Sequence, residues 1–126
     1  MLFATKKKYM FIIYELGNKF GFVRSIDIAK ALNVKKASVS IMLPKLEAEE
    51  LIERTENGSI VLTKKGAVFS GDLYLKYLTL YQFFVTKLKS TDENARNDAI
   101  ACLCNMSDEN TEMITEYILH EQNENL

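Results

Sequence analysis

Ser25-Ile-Asp-Ile-Ala-Lys-Ala-Leu-Asn-Val34, followed at once by Lys35-Lys-Ala-Ser-Val-Ser40, is the stretch that decides the fold. Ile28 and Leu32 stand four apart, the spacing of one helix face, and Ser25 is placed to cap that helix. Asn33 is a residue type that tolerates a left-handed turn. From about Lys36 to Glu50, Val39, Met42, Leu43 and Leu46 recur at helical spacing and form an inward stripe. A short helix, a tight turn and a second helix make a helix-turn-helix.

The flanks extend this unit. Leu51 to Thr63 reads as a hairpin: Ile52, Ile60 and Leu62 are strand residues, and Asn57-Gly58 is a strong hairpin signal. Thr63 is placed to cap a helix that begins at Lys64. Before the helix-turn-helix, residues 4–16 read as a helix ended by Gly17, with 17–24 as a loop. That first helix is apolar nearly all round, which requires cover on several sides. Behind the hairpin, residues 72–89 read as a long helix rich in Leu, Tyr and Phe. Thr91 or Asp92 caps a helix to about Met106. Ser107 caps a last one, about 109–121, with Met113, Ile114, Tyr117 and Ile118 inward and 121–126 as a polar tail. The expected fold is mainly α: a winged helix-turn-helix domain with a two-stranded β wing over 1–71, then a helical dimerisation domain over 72–126. Leu73, Tyr77, Leu80, Tyr81 and Phe84 are the expected dimerisation residues.

At 126 residues and 14.4 kDa, the chain has room for one domain with an appendage. One proline and five glycines oppose a turn-rich β sandwich. Cys102 and Cys104 cannot make a disulfide framework, so a reducing, cytoplasmic setting is expected. No apolar run approaches a membrane span, and no membrane partner is expected. The net charge of −1 hides an asymmetry. Residues 1–45 carry nine Lys/Arg against two acids, a balance of +7, while residues 92–126 carry one Arg against nine acids, a balance of −8. A basic front suits double-stranded DNA.

The helix from Lys36 is the candidate groove reader. Lys35, Lys36, Ser25, Ser38, Ser40 and Lys45 are placed to meet phosphates, and Ala37 and Ile41 to touch a thymine methyl. That face has no Arg, Asn or Gln for bidentate base readout, so modest specificity, or specificity through DNA shape, is expected. Pro44 implies a bend, or joins Ala37 and Ile41 in an apolar patch for a protein partner. In the wing, Arg54, Asn57 and Gly58 are the candidate contacts, although Glu56 makes the tip acidic. Nothing supports catalysis: there is no glycine-rich phosphate loop, and a single His with two Cys lacks an orienting third group.

Tyr9-Met-Phe-Ile-Ile-Tyr-Glu-Leu16, Asp27-Ile-Ala-Lys-Ala-Leu-Asn-Val34, Ala37-Ser-Val-Ser40, Lys45-Leu-Glu47, Leu51-Ile52, Leu62-Thr-Lys-Lys-Gly66 and Met106-Ser-Asp-Glu109 together resemble the diphtheria-toxin-repressor family, whose short branch is the manganese-transport regulators. The resemblance implies metal-responsive dimeric repressors, here in the two-domain form without an SH3-like third domain. It implies manganese or iron as cofactor, held between the first helix and the dimerisation helices. The family's ligand positions fall on Lys8, Phe11, Tyr77, Ile100, Leu103 and Cys104. Only Cys104 is a strong ligand type, so no metal cofactor is expected; Cys104, Met106 and His120 are the remaining metal candidates.

The expected function is therefore a DNA-binding, repressor-like transcriptional regulator acting as a homodimer with a degenerate metal site. Two alternatives stand beside it: a winged-helix protein-interaction module without DNA binding, and a regulator sensing an organic ligand or redox state near Cys104.

Overall fold

The computed structural model describes residues 2–124. The elements run α1 (Leu2–Phe20), α2 (Ser25–Leu32), α3 (Lys36–Ala48), β1 (Ile52–Arg54), β2 (Ile60–Leu62), α4 (Lys64–Thr86), α5 (Asp92–Asn105) and α6 (Asp108–Glu124). They form two compact units, Met1–Asp72 and Leu73–Leu126.

In the first unit α2 packs on α1 and α3, α1 on β2, and α3 on β1. The inward stripe of α3, Val39, Met42, Leu43 and Leu46, is buried as its spacing predicts, together with Ile28 of α2. Asn33 takes the left-handed turn at φ 55°. Its amide donates to Lys30 O at 3.2 Å, and the Val34 amide to Ala29 O at 3.0 Å. The two strands pair antiparallel with Ile52 opposite Leu62 and Arg54 opposite Ile60. Residues 55–59 make the turn, with Gly58 at φ 85°. Val23 adds a bridge to Ile60, whose amide donates to Val23 O at 2.7 Å. The segment before α2 thus extends the wing sheet by one residue.

Several expectations need correction. α1 runs to Phe20, not Leu16. A glycine inside a helix costs about 1 kcal/mol but does not by itself end it. Gly17 stays helical, and Gly21, at φ 84°, is the residue that leaves the helix, its amide reaching Gly17 O at 2.8 Å. The cover expected for α1 is present within the single chain, where Tyr9 to Ile13 are all buried. Ser25 is not the cap of α2. Arg24 holds that position, and its amide donates to the Asp27 carboxylate at 3.0 Å. α3 ends at Ala48 rather than Glu50, which turns left-handed at φ 61°.

The helix capped by Thr63 and the long helix expected over 72–89 are one element, α4. The Gly66 amide donates to Thr63 Oγ1 at 3.0 Å, as the cap predicts. α4 stops at Thr86, with Lys89 left-handed at φ 57°. In the second unit Thr91 caps α5 by accepting from the Asn94 amide at 3.2 Å, and Ser107 caps α6 by accepting from the Asn110 amide at 3.1 Å. Thr111, Thr115 and Ile118 are the buried residues of α6, whereas Met113, Ile114 and Tyr117 are exposed. The expected tail is helical through Glu124, and residues 125–126 lie outside the described ones.

Candidate nucleic-acid interface

Burying Val39, Met42, Leu43 and Leu46 turns the other side of α3 outward. Lys35, Lys36, Ala37, Ser38, Ser40, Ile41, Pro44 and Lys45 are all exposed, as is Ser25 in the first turn of α2. Ile41 is 64% exposed, a large apolar side chain standing free between Lys36 and Lys45 in the helix. Three cations, two hydroxyls and an apolar centre give this face means to meet phosphates and a base-edge methyl.

Three other cations of the first unit are committed to acidic or carbonyl partners. Lys6 Nζ pairs with Glu49 Oε1 at 2.7 Å, and Lys65 Nζ donates to Glu49 O at 3.0 Å. Arg54, the basic residue expected to serve the wing, pairs through Nε with Glu47 Oε1 at 3.0 Å. That pair ties β1 to the end of α3 and lowers the positive charge Arg54 could offer a polyanion. Asn57 and Gly58 are exposed at the tip. Thr55 Oγ1 bonds Asn57 Oδ1 and accepts from the Ser59 amide at 3.1 Å, which closes the turn.

Arg24 escaped the sequence reading. Its Nη1 donates to Asn57 O at 2.9 Å, and its guanidinium lies 5.9 Å from the Phe22 ring centroid. It is an exposed cation at the wing, put there by the Val23–Ile60 bridge. No local pattern marks such a residue; only the pairing of two distant segments does.

In the second unit Leu73, Tyr77 and Leu80 are buried within the single chain. Side chains this buried offer little surface to a second copy. Tyr81 and Phe84 are half-buried. The exposed apolar residues of this unit are instead Leu75, Met113, Ile114 and Tyr117, among others.

The positions matched to metal ligands do not form a donor set. Lys8 is exposed, Phe11 and Leu103 are fully buried, and Ile100 is half-buried. Cys104 is buried, and Met106 is half-buried. His120 is exposed, with Nε2 3.1 Å from Glu124 Oε1 one turn along α6. Among the described residues no three His, Cys, Asp or Glu side chains gather into a metal-binding group. Burial, and then the Asp98 carboxylate, push the Cys102 thiol above its usual range, which makes it a poorer nucleophile.

Comparison with known proteins gives the geometry a context. Residues 1–59 match the family model described as iron dependent repressor, N-terminal DNA binding domain. Over 94 residues the chain is 31% identical to the HTH-type transcriptional regulator MntR of Oceanobacillus iheyensis, covering 75% of this chain and 63% of that protein. It is 32% identical over 94 residues to MntR of Geobacillus thermodenitrificans, covering 75% of this chain and 66% of that protein. The chain thus spans just under two thirds of these relatives. Among solved structures, the manganese regulator SloR superposes with a TM-score of 0.74 at 28% identity, covering 90% of this chain and 53% of that one. IdeR of T. acidophilum superposes at 0.80 with 24% identity, covering 94% and 54%, a likeness of fold alone. Among the described residues no helix is long and apolar enough to cross a membrane.

Proposed function

Because the chain belongs to the iron-dependent repressor family, a family of transcriptional regulators rather than enzymes, we propose that it binds operator DNA as a homodimer and acts as a repressor-like regulator. The observation that carries this is the outward face of α3. Lys35, Lys36 and Lys45 flank Ala37, Ser40 and Ile41, all exposed. In this reading residues 1–71 contact DNA and 72–126 dimerise, in the cytoplasm. A two-fold dimer would place two such helices on half-sites about one helical turn apart.

Duplex affinity measured across a salt series tests the reading. Each of Lys35→Ala, Lys36→Ala and Lys45→Ala should weaken binding and reduce the salt slope by about one. No binding at low salt would overturn it. Sedimentation at micromolar concentration should show about twice 14.4 kDa. The exposure of Ile41 and Pro44 favours one second reading, a protein-interaction module. It would show as partner binding lost on Ile41→Ser with no affinity for duplex DNA.

The family implies a manganese or iron cofactor. The residues at the matched positions do not fit one. They offer an ammonium, a phenyl ring, a phenol, two alkyl chains and one thiol. Manganese and ferrous iron need several oxygen or nitrogen donors converging on one point. Control of this chain by those ions is therefore not part of the proposal.

A further inference from the structure

The second unit holds a connected set of side chains at the corner between α4 and α5. Tyr74, Tyr77 and Tyr81 share one face of α4, with successive ring centroids 5.7 and 5.8 Å apart. The Tyr81 hydroxyl donates to Asp92 Oδ1 at 2.7 Å. One turn further along α5, Arg96 lies over the Tyr77 ring, 5.8 Å from its centroid, and Nη1 donates to the Tyr77 hydroxyl oxygen at 3.2 Å. Two residues one turn apart on α4 thus bond two residues one turn apart on α5. Tyr77 is only 5% exposed, which shields the Arg96 bond from water. In the same unit Lys76 Nζ pairs with Glu112 Oε2 at 2.7 Å, tying α4 to α6.

Tyr77 occupies one of the matched metal positions and is the one among them with an oxygen donor. That oxygen already accepts from a guanidinium. A fixed positive charge there repels a divalent cation, and Arg stays protonated at every ordinary pH.

We propose that Arg96 supplies, at the Tyr77 position, the fixed positive charge that a metal ion would bring there. Its guanidinium, seated on Tyr77 and supported by the Tyr81–Asp92 bond, holds the α4–α5 corner permanently, so the DNA-binding state is not gated by manganese or iron. This rests on the DNA-binding reading and states its regulation. The bonds cross between two helices of one unit, so they fix the angle at which α5 leaves α4. A resident cation on the chain has no dissociation equilibrium to respond to ion concentration.

The test uses the full chain in chelator, and then with excess Mn²⁺ or, without oxygen, Fe²⁺. An ion bound at a hundred times its Kd would raise the melting temperature by about 10 °C; the expected rise is nil, and duplex affinity should be the same in chelator and in metal. Arg96→Met and Tyr77→Phe keep the packing volume and the ring stack. Each should lower the melting temperature by about 3–6 °C. Because both remove the same bond, the double variant should fall no further than the larger single one. Additive losses, or a metal-induced rise, would overturn the inference. DNA binding that appears only with metal would also overturn it while leaving the DNA-binding reading intact. If no duplex is bound in either condition, that reading falls, and the melting measurements alone decide whether Arg96 is the lock.

Discussion

Replacing Gly66 with alanine should destabilise the protein, although alanine is the better helix former. A Cβ built at Gly66 lies 1.9 Å from Leu51 O and 2.9 Å from Leu51 C. Real Cβ atoms keep at least about 3 Å from such an oxygen, so the first turn of α4 and the Leu51 backbone must separate by roughly 1 Å. Leu51 cannot retreat cheaply. Its carbonyl accepts from the Thr63 amide at 3.1 Å, and its amide donates to Leu46 O at 3.0 Å. Overpacking against fixed backbone costs about 3 kcal/mol, the upper end of its usual range. Helix propensity returns about 1 kcal/mol, which leaves a net loss of about 2 kcal/mol. At roughly 2.1 cal/mol/K per residue, 126 residues give an unfolding entropy of about 265 cal/mol/K, so the melting temperature should fall by about 8 °C. Gly71→Ala is the matched control on the same helix. Its Cβ would meet the Tyr14 ring at 3.8 Å, an ordinary contact. There propensity acts alone, and stability should rise by up to about 1 kcal/mol, or about 4 °C. Circular-dichroism melts of both variants decide the matter. A Gly66→Ala protein as stable as the parent would refute the reasoning.

Three further outcomes are expected. Ser70 Oγ is fully buried with no hydrogen-bond partner, so Ser70→Ala should be neutral or stabilising in a urea titration, and a loss above about 1 kcal/mol would reveal a bond the structure does not contain. Thr63→Ala removes both the cap on the Gly66 amide and the bond from Oγ1 to Glu50 O at 2.6 Å; it should cost about 1–2 kcal/mol, measured by the same titration. The raised pKa of Cys102 keeps it a thiol at pH 8. Its alkylation by iodoacetamide should be slower there than that of a small free thiol, with the thiolate-limited rise displaced to higher pH, and Asp98→Asn should accelerate it.

The helix-turn-helix was legible because α2 and α3 bury one apolar stripe each and Asn33 marks the turn between them. Thr63, Thr91 and Ser107 announced their helices because a cap is a local bond between near neighbours. What failed were inferences in which local chemistry and tertiary position part company. The helix from Lys64 and the one expected over 72–89 are a single element, in which Gly66 lets α4 approach Leu51. The buried side of α6 was misread for a different reason. Thr111 Oγ1 donates to Ser107 O at 2.8 Å, and Thr115 Oγ1 to Thr111 O at 2.9 Å. Each hydroxyl spends its polarity on the helix's own backbone, so threonines can face inward and Met113 and Tyr117 outward. The exposed face of α3 followed from its buried stripe. Arg24 and Arg96 did not, since each acts on a partner 19 or more positions away.

The single-residue bridge between Val23 and Ile60 bears on how the wing would meet a duplex. A two-stranded ribbon of three residues a side is marginal by itself. Here its turn-proximal end is stitched to the segment before α2, and its tip is held by Arg24. The loop's conformational entropy is lost during folding rather than on encounter, so an approaching polyanion meets a surface already shaped. Association then spends little on ordering this element, and its contribution to affinity is governed by charge and fit.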